Sequence, residues 1–418
     1  MANVSRETYL VQGKKKRMHL GMTSYRYRAR LAVLGVIISI EFAHPAFAEQ
    51  APPAPENDPL YMRVIATPWP SEGAILVSNG GKHSAYELYV TNLGKTPLTI
   101  VELDVQGKKN DEVVMTQSST GKQLAAMFVP GAGDGSKPND PILQPSESGI
   151  FFIFADFAQG HADPDSFDTA IRIEQHGERS GSGTIQAAEL DINPAAPIAI
   201  QSPLRGKNWS AGNGPSNTSP HRRAVLPVNG QPHIGQRYAI DWIQLGDDGN
   251  SFSGDKHKNS SYHAWDQTVH AVMDGKIVEV KDGIAENVPN SGKLAVAMTS
   301  DTVAGNHVIE DLGDGRYAAY AHLRPGTLKV KVGDTVHAGD VIGHLGNTGN
   351  SSEPHLHFQV CDAPSFFESE GIPFAIDKFT REDFKIDNAK GHAALVVKSS
   401  HPMTREEPME DELDSFAP

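Results

Sequence analysis

The chain has 418 residues, long enough for two or three domains each with its own core, and its 39 Gly and 28 Pro lean towards a turn-rich, mainly β architecture. A formal net charge of −14 argues against a nucleic-acid partner, because phosphate binding needs a basic face. The single cysteine, Cys361, excludes an internal disulfide, which leaves core packing and any bound metal to hold the fold.

Taken in order, the chain opens on a targeting pattern. Arg26, Arg28 and Arg30 precede an apolar run at residues 31–42, and Ala46-Phe47-Ala48 follows as a small-x-small cleavage signature. The run is short for a membrane span and carries Glu41, so residues 1–48 read as a cleaved signal peptide that leaves no stable membrane anchor. An exported protein, periplasmic or extracellular, is expected. Loss of the segment's eight Lys/Arg and two Asp/Glu would take the net charge from −14 to −20. Residues 49–58 read as a Pro-rich disordered leader.

Residues 59–192 read as strands. AYELYVTN, PLTIVELDVQG, GIFFIFADF and TAIRIEQ are rich in β-branched and aromatic residues and are separated by turn-forming clusters. Short strands about every ten residues predict an immunoglobulin-like β-sandwich, an accessory domain without clustered His, Cys or carboxylates. Residues 193–222, rich in Pro, Ala, Gly, Ser and Asn, read as a linker. Residues 223–380 are strand-rich again, with tight-turn chemistry at Asp274-Gly275, Asp282-Gly283 and Asp314-Gly315. Residues 381–418 end in EEPMEDELDSFAP and read as an acidic, disordered tail.

The most informative stretch is VIGHLGNTGNSSEPHLHFQV, residues 341–360. On a strand the side-chain period is two, so His355 and His357 project from one face while Leu356 packs behind them. Two imidazoles on a rigid element suit a metal site or an acid–base pair; a half-exposed strand face explains them equally well. The same region offers His233 and Asp241 in PHIGQRYAIDW and His322 in YAAYAHLRPG. Asp241, among apolar neighbours, wants a compensating partner. Singly, Asp241 also reads as a strand-end turn residue, and His233 and His322 as loop or surface histidines.

Together these residues resemble the lysostaphin-like (LytM-type) zinc metallopeptidases, most of which cut peptide crosslinks in peptidoglycan. The resemblance runs from about Arg223 to Phe379, and its most specific element is the loop GNTGNSSEPHLHF. It implies a β-sheet or barrel-sandwich metallopeptidase domain and a Zn2+ ion held by His233, Asp241 and His357. It implies His355 as proton carrier and His322 as donor to the developing oxyanion. The implied substrate is peptidoglycan or another peptide; the alternative is a non-catalytic peptidoglycan-binding or hydrolase-activating member of the same fold. Several positions depart from the family pattern. The first ligand usually stands four residues before the Asp, where this chain has Arg237; His233, eight before it, serves if IGQR bulges out of the strand, and His221 is the fallback. Glu353 replaces a small residue before the Pro, and Gln359 stands where a Glu is common. Residues 246–267 and 285–304 exceed the family's usual loop lengths, which suggests walls around a groove.

Overall fold

The computed structural model describes residues 63–131, 140–177, 180–387 and 393–418. The expected signal peptide and leader lie outside them. Among the described residues no helix is long and apolar enough to cross a membrane.

The first half of the chain forms two sheets. One pairs Val64–Trp69, Gly81–Asn92, Ser148–Ala158 and Phe128–Pro130 in that order, with Leu76–Ser78 beside Gly81–Asn92. The other runs Glu72–Gly73, Leu190–Ile192, Ser166–Gln175, Leu98–Lys109 and Glu112–Thr120. Both feed one core that includes Leu88, Val90, Ile100, Leu103, Phe151, Ile153 and Ile171. The alternation of apolar residues along each strand aims them inward, as the period of two requires.

The run Phe151-Phe152-Ile153-Phe154 breaks that alternation, and its burial explains why. Phe151 and Ile153 enter the first core, whereas Phe154, with Leu76 and Ala85, joins the core of the second half. A strand buried on both faces reads as a continuous apolar run. The two halves therefore meet through packed side chains.

The second half is built on an eleven-stranded sheet. Its order is Ile198–Ile200, Phe374–Asp387, Leu413–Phe416, Gly206–Gly212, Ile240–Gln244, Leu356–Cys361, Arg316–Leu323, Asn306–Gly313, Gly275–Lys281 and Thr335–Val336, with Ala394–Glu406 beside Phe374–Asp387. All its pairings are antiparallel except Ile198–Ile200 with Phe374–Asp387.

Two expectations are corrected here. Residues 193–222 are not a free linker: Ile198–Ile200 and Gly206–Gly212 are strands of the large sheet, and Trp209 is fully buried in its core. Nor is the acidic tail disordered. Leu413–Phe416 pairs with both Gly206–Gly212 and Phe374–Asp387, and Leu413 and Phe416 are buried. A few apolar anchors and main-chain pairing outweigh the acidic composition, and buried Glu407 finds His83 of the first half at 2.8 Å.

Of the three expected Asp-Gly turns, one closes a hairpin. Asp314 (φ 52°) and Gly315 (φ 70°) join Asn306–Gly313 to Arg316–Leu323, the two left-handed residues that a type I′ turn needs. Asp274-Gly275 leads into Gly275–Lys281, and Asp282-Gly283 only opens the long connection from that strand to its antiparallel partner Asn306–Gly313, so neither closes a two-residue hairpin.

Candidate metal centre

Sheet register brings the first two site residues together. Asp241 on Ile240–Gln244 is paired directly with His357 on Leu356–Cys361, and His357 in turn with Ala321. Leu356, Phe358 and Val360 go into the core, so His357 and Gln359 share the opposite face. His355 lies at the head of the strand, its ring nitrogen Nε2 3.4 Å from Asp241 Oδ1. His357 Nδ1 lies 3.0 Å from the same oxygen.

The third residue comes from outside the sheet. His221 sits on the single-turn helix Pro220–Arg223, with Nε2 3.2 Å from Asp241 Oδ2 and its ring edge-on to His357 at 4.7 Å between centroids. Asn213 Nδ2 donates to Asp241 Oδ2 at 2.8 Å. His322 completes the cluster, its ring 4.8 Å from that of His355 and 5.9 Å from that of His357.

His322 is held by strain and by its neighbours. It adopts φ 64° inside the strand Arg316–Leu323, a left-handed conformation costly for a residue with a Cβ. The pairing with Asn306–Gly313 shifts register at that point, a bulge that re-aims the side chain. Its N–H donates to Ala304 O at 3.0 Å, and its Nδ1 donates to Thr348 O at 2.8 Å.

The hydrogen bonds around the rings fix where the protons are. His355 Nδ1 donates to Glu353 O at 2.8 Å, His357 Nε2 to Gln359 Oε1 at 2.9 Å and His322 Nδ1 to Thr348 O. The carbonyls of Glu353 and Thr348 only accept, so the ring nitrogens facing them must carry hydrogen. In the neutral His355 ring the other nitrogen is bare. Bare His355 Nε2 therefore faces the Asp241 carboxylate, lone pair to lone pair. A proton or a cation has to stand between them.

Electrostatics agree with that arrangement. Burial would raise the Asp241 carboxyl, but the His355 and His221 rings beside it hold it well below the usual carboxylate range. Burial, reinforced by His355 and His357, holds His322 well below an ordinary histidine. Burial also lowers His357, whereas for His355 the pull of Asp241 outweighs burial and raises it.

His221, Asp241 and His357 each offer one donor atom, and the three atoms lie within 4.8 Å of one another. Two imidazoles and a carboxylate suit zinc, and three protein donors leave a coordination position open. Each His357 and His355 ring is steadied by an outer oxygen acceptor, the arrangement that orients metal-ligating histidines.

His233 stands elsewhere. It ends the short strand Gln231–His233 with its Nδ1 3.4 Å from Glu370 Oε1. The IGQR stretch does not bulge towards the site: Ile234 O accepts from both Arg237 N and Gly371 N, tying it down beside Glu370. Arg237, at the expected ligand position, is buried with Nε on Glu87 Oε2 at 2.9 Å and Nη2 2.8 Å from Glu370 Oε2. His221, the fallback, takes the place expected of His233. The carbonyls of Thr348 and Glu353 went unread in the sequence, since backbone acceptors leave no residue signature, and so did Asn213, which lies far from Asp241 in sequence.

Residues 256–365 match the family model described as Peptidase family M23, a stretch that holds His322, His355 and His357 but starts after His221 and Asp241. Lysostaphin of Staphylococcus staphylolyticus is 45% identical over 71 residues, 17% of this chain and 14% of lysostaphin. Peptidoglycan DD-endopeptidase ShyA of Vibrio cholerae is 38% identical over 78 residues, 18% of this chain and 18% of ShyA. These matches thus span less than a fifth of the length of either relative. Among solved structures, the catalytic domain of lysostaphin from Staphylococcus simulans shares 25% identity, covering 40% of this chain and 88% of that domain at a TM-score of 0.22.

Proposed function

We propose that this chain, whose residues 256–365 match Peptidase family M23, is an exported zinc endopeptidase that hydrolyses peptide bonds of peptidoglycan. The observation that carries the reading is the convergence of His221, Asp241 and His357 donor atoms within 4.8 Å, with the bare His355 Nε2 turned towards the same carboxylate. Export rests on the basic, apolar and small-x-small pattern of residues 26–48. The peptidoglycan substrate rests on likeness to relatives such as ShyA, whose name states that substrate.

His221, Asp241 and His357 would hold the zinc. Bound there, zinc supplies Lewis acidity, polarising a carbonyl and making water acidic enough to ionise near neutral pH. His355 accepts a proton from the attacking water at Nε2, the nitrogen left bare by its Nδ1 hydrogen bond, and returns it to the departing amine nitrogen. His322 takes a different part from the oxyanion donor implied by the family resemblance. A neutral ring whose Nδ1 hydrogen is committed to Thr348 O presents Nε2 as an acceptor, suited to orienting the attacking water. The spacing at His233 and Arg237 favours the non-catalytic alternative, and His221 supplies a donor in their stead.

Metal analysis of the purified protein should give one zinc per chain, lost in His221→Ala and retained in His233→Ala. His355→Ala should keep the metal and cleave purified peptidoglycan at least about a hundredfold more slowly. Undiminished cleavage by His355→Ala, or a metal-free active protein, would defeat the reading.

A further inference from the structure

The helix that delivers His221 is anchored on the other half of the molecule. Arg222, the next residue, is fully buried. Its Nε donates to Glu87 Oε1 at 2.8 Å, and its Nη2 donates to the carbonyls of Tyr86 and Ile153, both at 2.8 Å. Its guanidinium carbon lies 5.6 Å from the centre of the Phe152 ring. All four residues belong to the N-terminal strands Gly81–Asn92 and Ser148–Ala158. Asn217 Oδ1 accepts from Nη1 at 2.7 Å and closes the fork. Arg223 follows the same course, with Nη2 donating to Ala126 O and its guanidinium 5.5 Å from the Phe152 ring centre. One turn of helix thus sends two arginines into the N-terminal half and a histidine to Asp241.

Glu87 does more than receive Arg222. Its second oxygen accepts from Arg237 Nε at 2.9 Å. Arg237 lies four residues before Asp241, as Arg222 lies next to His221. One fully buried carboxylate therefore ties down the approach to both donors. Burying three charges costs desolvation that well-packed apolar side chains would avoid, and an Arg–carboxylate fork gives fixed direction in return. Solvent-facing anchors would leave the His221 helix, only four residues long, free to move.

We propose that Glu87, in the N-terminal half, is a positioning residue of the metal centre: through Arg222 and Arg237 it sets the separation of His221 from Asp241. The accessory domain is then a structural part of the site and not a spacer. The inference rests on the metal-site reading above.

The test is zinc affinity of the full-length protein by competition with a chromophoric chelator, together with the visible spectrum of the Co2+-substituted form. Glu87→Gln leaves two buried guanidiniums short of their partner and can lower stability, so Arg222→Lys is the deciding variant; it keeps the charge but not the fork. With cooperative thermal unfolding preserved, Arg222→Lys should bind zinc about tenfold or more weakly, towards the His221→Ala value, and its cobalt spectrum should change. Arg222→Lys with wild-type affinity and an unchanged spectrum would overturn the positioning role while leaving the metal site standing. Wild-type protein that binds zinc no better than His221→Ala would overturn the metal-site reading, and this inference with it.

Discussion

Glu310 is fully buried on Asn306–Gly313, where Tyr320 Oη and Val272 N donate to its Oε2. Burial pushes its carboxyl from 4.5 up to about 7. Below 4.5 the group is protonated in folded and unfolded chains alike. Between 4.5 and 7 the unfolded chain ionises first, so stability falls as pH rises, and above 7 the loss is complete. At 1.36 kcal/mol per pH unit the loss approaches about 3 kcal/mol. Glu310→Gln keeps an acceptor for Tyr320 and cannot ionise. Urea unfolding should show its advantage over the natural protein growing between pH 5 and pH 7.5; a difference independent of pH would contradict this. The same residue-level view separates what the sequence disclosed of the site. Asp241, His322, His355 and His357 were legible as candidates because each sits in a short motif, three of them on a strand and His355 at the head of one. His221 was legible only as a fallback, because it stands twenty residues before Asp241 and reaches it through tertiary packing, not spacing. Gln359 was visible as a departure, but its grip on His357 Nε2 needed the strand face to be known.

Among elements, the loop pair at 302–305 and 346–350 decides where His322 points. Gly305 has φ 65°, and a Cβ there would lie 2.4 Å from Thr348 Oγ1 and 2.5 Å from Thr348 O. That carbonyl holds His322 Nδ1. Thr348 Oγ1 also accepts from Asn306 N at 2.9 Å and donates to Leu323 O at 3.0 Å, so the loop cannot retreat without losing both bonds. Gly305→Ala should therefore cost about 2 kcal/mol or more and slow peptide cleavage. Gly230→Ala is the control: its φ is 78° with nothing within 4 Å of a Cβ. It should show only the left-handed backbone cost, about 1 kcal/mol, with activity intact. Equal losses in urea unfolding and in cleavage would remove the loop from the account. At this scale the long alternating runs read well, AYELYVTN and RYAAYAHL becoming strands along their whole length. LKVKVGDTVHAGDVIGHLG, residues 328–346, alternates as well but yields only Thr335–Val336 and Val341–His344, because its turns consume the residues between.

Over the whole molecule, the boundaries drawn from composition failed where distant segments share a core. A Pro/Gly-rich stretch looked like a linker and an acidic end looked like a tail, because composition averages over the few residues that anchor each one. Trp209 anchors the first, Leu413 and Phe416 the second, and Trp209 and Phe416 lie in one core with Leu76, Ala85 and Phe154 of the N-terminal half. Buried polar contacts cross the same boundary, a hydrogen bond between His83 and Glu407 and ion pairs of Glu87 with Arg222 and Arg237. Unfolding either half alone would expose that shared apolar surface and strand several of these charges without partners, at several kcal/mol per charge. The two halves should accordingly unfold together. Scanning calorimetry of the full chain should give one endotherm whose van't Hoff and calorimetric enthalpies agree. Glu407→Leu, which leaves His83 without its carboxylate, should move that endotherm down without splitting it. Two separated transitions in the natural protein would mean that the halves are independent domains joined by a contact too weak to couple them, and Glu87 could not then hold the His221 helix in place.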